Sequence, residues 1–69
     1  MVDMGDVVRC LRIKKGWDRQ KLSKVSGISR HTIERLEETG RGNITSLERV
    51  LGVMGYELEV VSQYGGIND

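Results

Sequence analysis

Two short helix-forming segments joined through a glycine restrict the fold of this chain more than any other feature of its sequence. Asp18 can cap a helix over residues 19 to about 26, and Ser29 can cap another over about 30 to 38. Gly27 lies between them, at a point where the chain must turn sharply. The pattern therefore predicts two separate short helices around a tight turn.

Two further helices are predicted on either side of this pair. Asp3 can cap a first helix that Gly16 ends. Beyond a glycine-rich loop over residues 39–44, Thr45 and Glu48 fit a capping box that opens a fourth helix. Apolar residues recur at helical spacing in these segments, which predicts an apolar core. The predicted core residues are Val7, Val8, Leu11, Trp17, Leu22, Val25, Ile33, Leu36, Leu47, Val50, Leu51 and Met54.

The apolar residues after the fourth helix alternate, which is typical of a strand. Tyr56, Leu58 and Val60 are separated by glutamates, and we predict one strand over about residues 56–61. A lone strand leaves half of its backbone groups unpaired, and the same strand of a second copy can satisfy them. We expect a homodimer joined partly through this strand. The alternatives are that the segment folds back on its own helices or frays, and residues 63–69 are expected to form a flexible tail.

Composition restricts the chemistry that the chain can carry. With 69 residues, one cysteine and one histidine, it lacks the usual soft donors for a metal site. So short a chain also has little interior for a catalytic cavity, so we expect no enzyme, no cofactor and an inert Cys10. No stretch is apolar enough to span a membrane and no signal peptide is visible. We expect one cytoplasmic domain over residues 1–62.

Charge is distributed unevenly along the chain, although the formal net charge is only +1. Residues 1–43 contain ten lysines and arginines against six acidic residues. Residues 44–69 contain one arginine against four acidic residues. The first part can therefore face a polyanion while the second part does a different job.

The segment from Asp18 to Glu37 has the helix-turn-helix arrangement, whose second helix enters the major groove of DNA. Over about residues 5–55 the chain resembles the Cro/C1-type (XRE) family of DNA-binding proteins. The matching positions are Leu11, Arg12, Gly16, Leu22, Gly27, Ile28, Ser29, Ile33, Leu36 and Glu37. The fourth helix followed by YELEVV is similar to HipB-type antitoxins and small repressors, which dimerise partly through a C-terminal strand. The resemblance implies a lambda-repressor-like, all-α bundle of four main helices with one C-terminal β-strand.

The resemblance also implies roles for individual side chains. The residues expected to face base edges are Arg30, His31, Thr32 and Arg35. Each arginine in this set can bind O6 and N7 of guanine through two hydrogen bonds. The residues expected to contact phosphates are Arg19, Ser29, Arg41 and Asn43.

Five other positions carry structural expectations, three of them from the same resemblance. Relatives of this fold often pair an arginine with a glutamate at the positions of Arg12 and Glu37, so we expect an ion pair there. Ser23 stands where relatives have a small alanine, and its hydroxyl therefore needs a backbone acceptor. Glu34 and Glu38 would repel phosphates and are expected to point away from DNA, although Glu34 could accept from cytosine N4.

Three functions are compatible with these features. The favoured one is a sequence-specific regulator, most simply a repressor, that binds double-stranded DNA as a homodimer on a palindromic operator. The second is an antitoxin that neutralises a toxin protein and autoregulates its operon. The third is an interaction module that has lost DNA binding, which the low net charge supports.

Overall fold

The computed structural model describes residues 3–59, and this part of the chain contains four α-helices and no strand. The helices are α1 (Met4–Lys14), α2 (Arg19–Ser26), α3 (Arg30–Thr39) and α4 (Ile44–Val53). The all-α class and the four helices predicted from the sequence are confirmed. Within residues 3–59, no helix has the length and apolar character needed to cross a lipid bilayer.

Each helix begins at a side chain that caps its first turn. The side-chain oxygen of the capping residue accepts a hydrogen bond of 2.7–3.2 Å from the backbone N–H three residues later. The capping residues are Asp3, Asp18, Ser29 and Asn43. The first three agree with the prediction. The predicted capping box at Thr45 is wrong, because Asn43 caps α4 and asparagine is a stronger N-cap than threonine.

Gly27 makes the turn between α2 and α3. Its φ of 75° is in the left-handed region that glycine adopts without strain, and its N–H donates to the carbonyl oxygen of Ser23 at 2.9 Å. The hydroxyl of Ser23 donates to the carbonyl oxygen of Ile28 at 2.7 Å, which confirms that it finds a backbone acceptor. The Ile28 N–H donates to the hydroxyl of Ser26 at 3.1 Å. These bonds fix the path of the chain from α2 into α3.

One buried apolar cluster joins the helices in the described part of the chain. Its members are Val8, Leu22, Ile33, Leu36, Val50, Leu51 and Met54, all of which the periodicity predicted. Val25 was predicted wrongly, since 41% of its surface is exposed. Ser26 faces the core instead, because α2 packs against α3 and α4 with the side of Leu22 that carries Ser26, about 40° around the helix, and not with the side that carries Val25. Other predicted core residues pack against the cluster half-buried: Leu11, Trp17 and Leu47.

The segment predicted to form a strand lies at the end of the described chain. Residues 56–59 belong to neither helix nor strand in this single chain. Leu58 packs half-buried against the core, whereas Tyr56 is 46% exposed. Val60 and the predicted tail over residues 63–69 lie outside the described residues.

Helices α1 and α3 approach each other closely at Gly5. This residue is buried, and a Cβ atom added to it would overlap the carbonyl oxygen of Leu36 and lie 2.7 Å from that of Glu37. Only a residue without a side chain therefore allows the backbone of α1 to lie against the end of α3.

We expect the substitution Gly5→Ala to lower the free energy of unfolding by about 1–3 kcal/mol, because the added methyl group forces the two helices apart. Gly52→Ala in α4 is the matched control, since nothing lies within 4 Å of its added Cβ. That control should stabilise the domain by about 0.5–1 kcal/mol through helix propensity alone. Urea unfolding measures both, and equal stabilisation by the two substitutions would contradict the close approach.

Candidate nucleic-acid interface

The outward face of α3 carries three of the four residues predicted to read base edges. The buried residues of this helix are Ile33, Leu36 and Glu37. The exposed predicted residues are Arg30, His31 and Arg35. At 100° per residue they lie within an arc of about 140° that contains none of the buried residues of the helix. Thr32 lies about 60° beyond the Arg35 edge of this arc and is half-buried. We call this exposed surface the outer arc of α3.

Two acidic side chains share the outer arc with these basic groups. Glu34 and Glu38 both lie within it by helical spacing, so they do not point away from the predicted reading face. The Nε of Arg30 donates to Oε2 of Glu34 at 3.2 Å. Among residues 3–59, Arg35 and His31 have no ion-pair partner within 4.0 Å. The arc therefore presents Arg30 with a hydrogen bond to Glu34 (the tether of Arg30), and Arg35 and His31 without an ion-pair partner in residues 3–59.

The start of α3 is held together by two hydroxyl groups. The Oγ of Ser29 accepts from the Thr32 N–H at 3.2 Å and donates to Thr32 Oγ1 at 2.9 Å. The hydroxyl proton of Ser29 is thus used within the helix cap. Backbone N–H groups of the first turn are the donors left for an anion at this end.

The loop between α3 and α4 carries two of the predicted phosphate contacts. Arg41 is exposed, and its backbone N–H donates to Thr39 Oγ1 at 3.0 Å, which fixes the loop to the end of α3. The side-chain oxygen of Asn43 accepts from the Ser46 N–H at 2.7 Å as the cap of α4. Asn43 therefore has only its amide nitrogen free to donate.

Behind the outer arc, α3 is anchored by the buried carboxylate of Glu37, whose side chain has no exposed surface. Arg12 donates to both of its oxygens, from Nε at 2.7 Å and from Nη2 at 3.0 Å. The remaining Nη1 of Arg12 donates to the carbonyl oxygen of Trp17 at 2.9 Å. Such a two-bond arrangement fixes distance and orientation together. It joins α1 and the turn before α2 to the end of α3.

Two further arginines bind the same glutamate, and the sequence analysis did not place them there. Arg19 Nε donates to Glu37 Oε1 at 3.1 Å, and Arg9 Nη2 donates to the Glu37 carbonyl oxygen at 2.9 Å. Arg9 could have been found, because Gly5, Arg9 and Arg12 follow the i, i+4, i+7 spacing of one helix face. An arginine at the start of a helix, such as Arg19, is as typical of a phosphate contact as of a structural ion pair. The position of Arg19 in the sequence therefore could not show that it binds Glu37.

The arginines also determine the ionisation of this glutamate. Burial by itself raises the pKa of Glu37, but the hydrogen bonds and charges of Arg12 and Arg19 outweigh burial and hold that pKa below its ordinary value. The hydrogen bond to Glu37 in turn raises the pKa of Arg12. Both groups are therefore charged at neutral pH.

Comparison of the chain with protein-family models, with curated proteins and with solved structures found no match. Its function must therefore be inferred from the outer arc of α3 and from the network that supports it.

We expect the substitution Glu37→Gln to destabilise the domain by about 3–5 kcal/mol, because it leaves the guanidinium of Arg12, whose side chain is only 12% exposed, without its counter-charge. That cost is comparable to what a core of this size supplies in total. The matched control is Glu38→Gln, the same change at a neighbouring residue whose side chain is 62% exposed. Its effect should stay below about 1 kcal/mol. Urea unfolding at pH 7 checks this, and equal stabilities would refute the anchoring role of Glu37.

The lowered pKa of Glu37 should make stability depend on pH. A carboxylate whose pKa is lower in the folded state stabilises fully above its unfolded-state pKa, near 4.5, and loses that stabilisation as the pH falls through the folded value. The midpoint of urea unfolding should therefore fall as the pH is lowered past this value. In Glu37→Gln, kept folded with an osmolyte, the unfolding midpoint should decrease less with falling pH than it does in Glu38→Gln. Equal slopes would count against this assignment.

Proposed function

We propose that this protein is a sequence-specific regulator of transcription, most simply a repressor, that binds double-stranded DNA in the cytoplasm as a homodimer. The observation that carries the proposal is the outer arc of α3, which holds Arg30, His31 and Arg35 on one exposed helix face. The major groove of B-DNA, about 12 Å wide, admits one α-helix, and arginine is the residue that most often reads guanine there.

The contacts that hold α3 in place favour recognition of base sequence over non-specific binding to DNA. Its inner face is buried, and its last turns are bound by Arg9, Arg12 and Arg19 through Glu37. A helix fixed in this way holds its outer side chains in one geometry, which base recognition requires. Arginines that only contact solvent do not require their helix to be anchored in this way.

The proposed phosphate contacts differ in how free they are. Arg41 in the loop after α3 is exposed. Arg19 already donates its Nε to Glu37, and its Nη1 lies 3.9 Å from Glu38. Arg19 can therefore approach a phosphate only with its outer nitrogens, while it still holds Glu37. Removal of Arg19 would change the fold and the DNA contact together, so Arg41 is the better residue to test.

A second copy of the chain completes the proposal. The strand predicted at Tyr56, Leu58 and Val60 would pair with its equivalent across a two-fold axis. Two α3 helices related by that axis, about 34 Å apart, would enter successive major grooves. The DNA site of such a dimer is a palindrome.

Selection from a pool of random duplex DNA, at near-physiological salt, tests the proposal directly. We expect the purified protein to enrich a two-fold palindrome whose half-sites are about one helical turn apart. A folded protein that enriches no sequence would contradict the proposal. A larger protein that co-purifies with the chain would then favour the antitoxin alternative.

Two substitutions should separate base reading from phosphate binding. Arg35→Ala should cost about 1–3 kcal/mol on the selected site and much less on unrelated DNA. Arg41→Ala should weaken binding to both alike and reduce the salt slope by about 1. Lys14→Ala is the control, because Lys14 is exposed and lies about 180° around α1 from Gly5, away from α3. Equal losses on both DNAs for Arg35→Ala would show that it does not read bases.

A further inference from the structure

The tether between Arg30 and Glu34 lies on the surface proposed to meet DNA. Arg30 Nε and Glu34 Oε2 are 3.2 Å apart, and the two side chains are 62% and 34% exposed. They stand one helical turn apart in the N-terminal half of α3. Recognition helices contact base edges chiefly with residues near their N-terminus.

The geometry of the tether matters because of which nitrogen it uses. A guanidinium has five N–H donors, and a carboxylate bound at Nε leaves both terminal NH₂ groups free. Those two groups form the outer edge of the fork. A pair of parallel N–H donors from this edge matches O6 and N7 of guanine. The carboxylate of Glu34 thus occupies the inner edge of Arg30 and leaves the guanine-binding edge exposed.

The same carboxylate carries a cost for binding DNA in general. A negative charge on the outer arc of α3 repels phosphates whatever the base sequence is. A free arginine side chain, on the other hand, loses rotamer freedom when a base fixes it, and the tether removes part of that loss beforehand. Through its charge, Glu34 therefore lowers the affinity for every DNA sequence. Through its bond to Arg30, it lowers the affinity least for the sequence that Arg30 reads.

We propose that Glu34 is a positioning residue that holds Arg30 with its two terminal nitrogens outward and so sets the preference for guanine at the base pair that Arg30 meets. The inference rests on the proposed function, in which α3 reads DNA. It goes beyond that function because it assigns specificity to an acidic residue that does not itself contact the base.

The test measures affinity for three duplexes: the selected site, the same site with the guanine that Arg30 reads replaced, and unrelated DNA. The guanine is identified as the position at which Arg30→Ala loses its preference. In Glu34→Gln, the preference for guanine should fall about 2-fold, the equivalent of the roughly 0.3–0.5 kcal/mol that an exposed i,i+4 ion pair contributes. Affinity for unrelated DNA should rise, because a negative charge is gone.

Two variants separate positioning from charge. Glu34→Asp keeps the charge but shortens the side chain by one methylene, so the preference should fall while affinity for unrelated DNA stays as in the wild type. Glu38→Gln removes an acidic charge from the same arc without touching Arg30, since its nearest cation is Arg19 at 3.9 Å. It should raise affinity for all three duplexes alike and leave the preference unchanged.

The outcomes distinguish this inference from the proposed function. If Glu34→Gln changes the guanine preference no more than Glu38→Gln does, or if it still changes it when Arg30 is already alanine, the positioning role is overturned and DNA reading stands. If the wild-type protein prefers no sequence, both proposals fail. Unfolding midpoints equal to that of the wild type show that the variants are folded.

Discussion

The burial of one carboxylate determines how three of the four helices meet. Glu37 at the end of α3 binds Arg12 from α1 and Arg19 from α2, and its backbone carbonyl binds Arg9. A charge without exposed surface is strongly unfavourable unless partners surround it, so other arrangements of these helices are penalised. We infer that this interaction favours a single geometry more than it adds to net stability. Gly5 makes this geometry possible, because only a bare backbone lets α1 come close enough.

Local chemistry made most of the fold predictable from the sequence. Asp18, Gly27 and Ser29 each act within a few residues of themselves, so their roles can be read without a tertiary structure. The errors arose where two local solutions compete. Asn43 and Thr45 can both open a helix, and the stronger cap prevailed. Helical spacing allowed Val25 in the core, but the position of α2 against α3 and α4 turned it outward.

The candidate site was predictable only in part, because its parts depend on contacts between distant residues. The exposure of Arg30 and Arg35 follows from the spacing of the buried residues in α3. The convergence of Arg9 and Arg19 on Glu37 joins residues 18 to 28 positions apart, and sequence spacing within one helix does not report on it. Pairing of a C-terminal strand needs a second chain, so a single chain cannot display it.

Three of the arginines differ in how many of their N–H donors already bind a carboxylate of the protein, and this difference bears on function. Arg19 is committed to the buried carboxylate, Arg30 is held by one exposed glutamate, and Arg35 has no ion-pair partner within residues 3–59. In the proposed function, an arginine whose donors bind the protein's own carboxylates helps to hold the helices in place, and an arginine whose donors are free can contact bases. A net charge of only +1 gives the chain little general attraction to DNA. In the proposed function, weak binding to unrelated sequences matters because genomic DNA offers a large excess of competing sites.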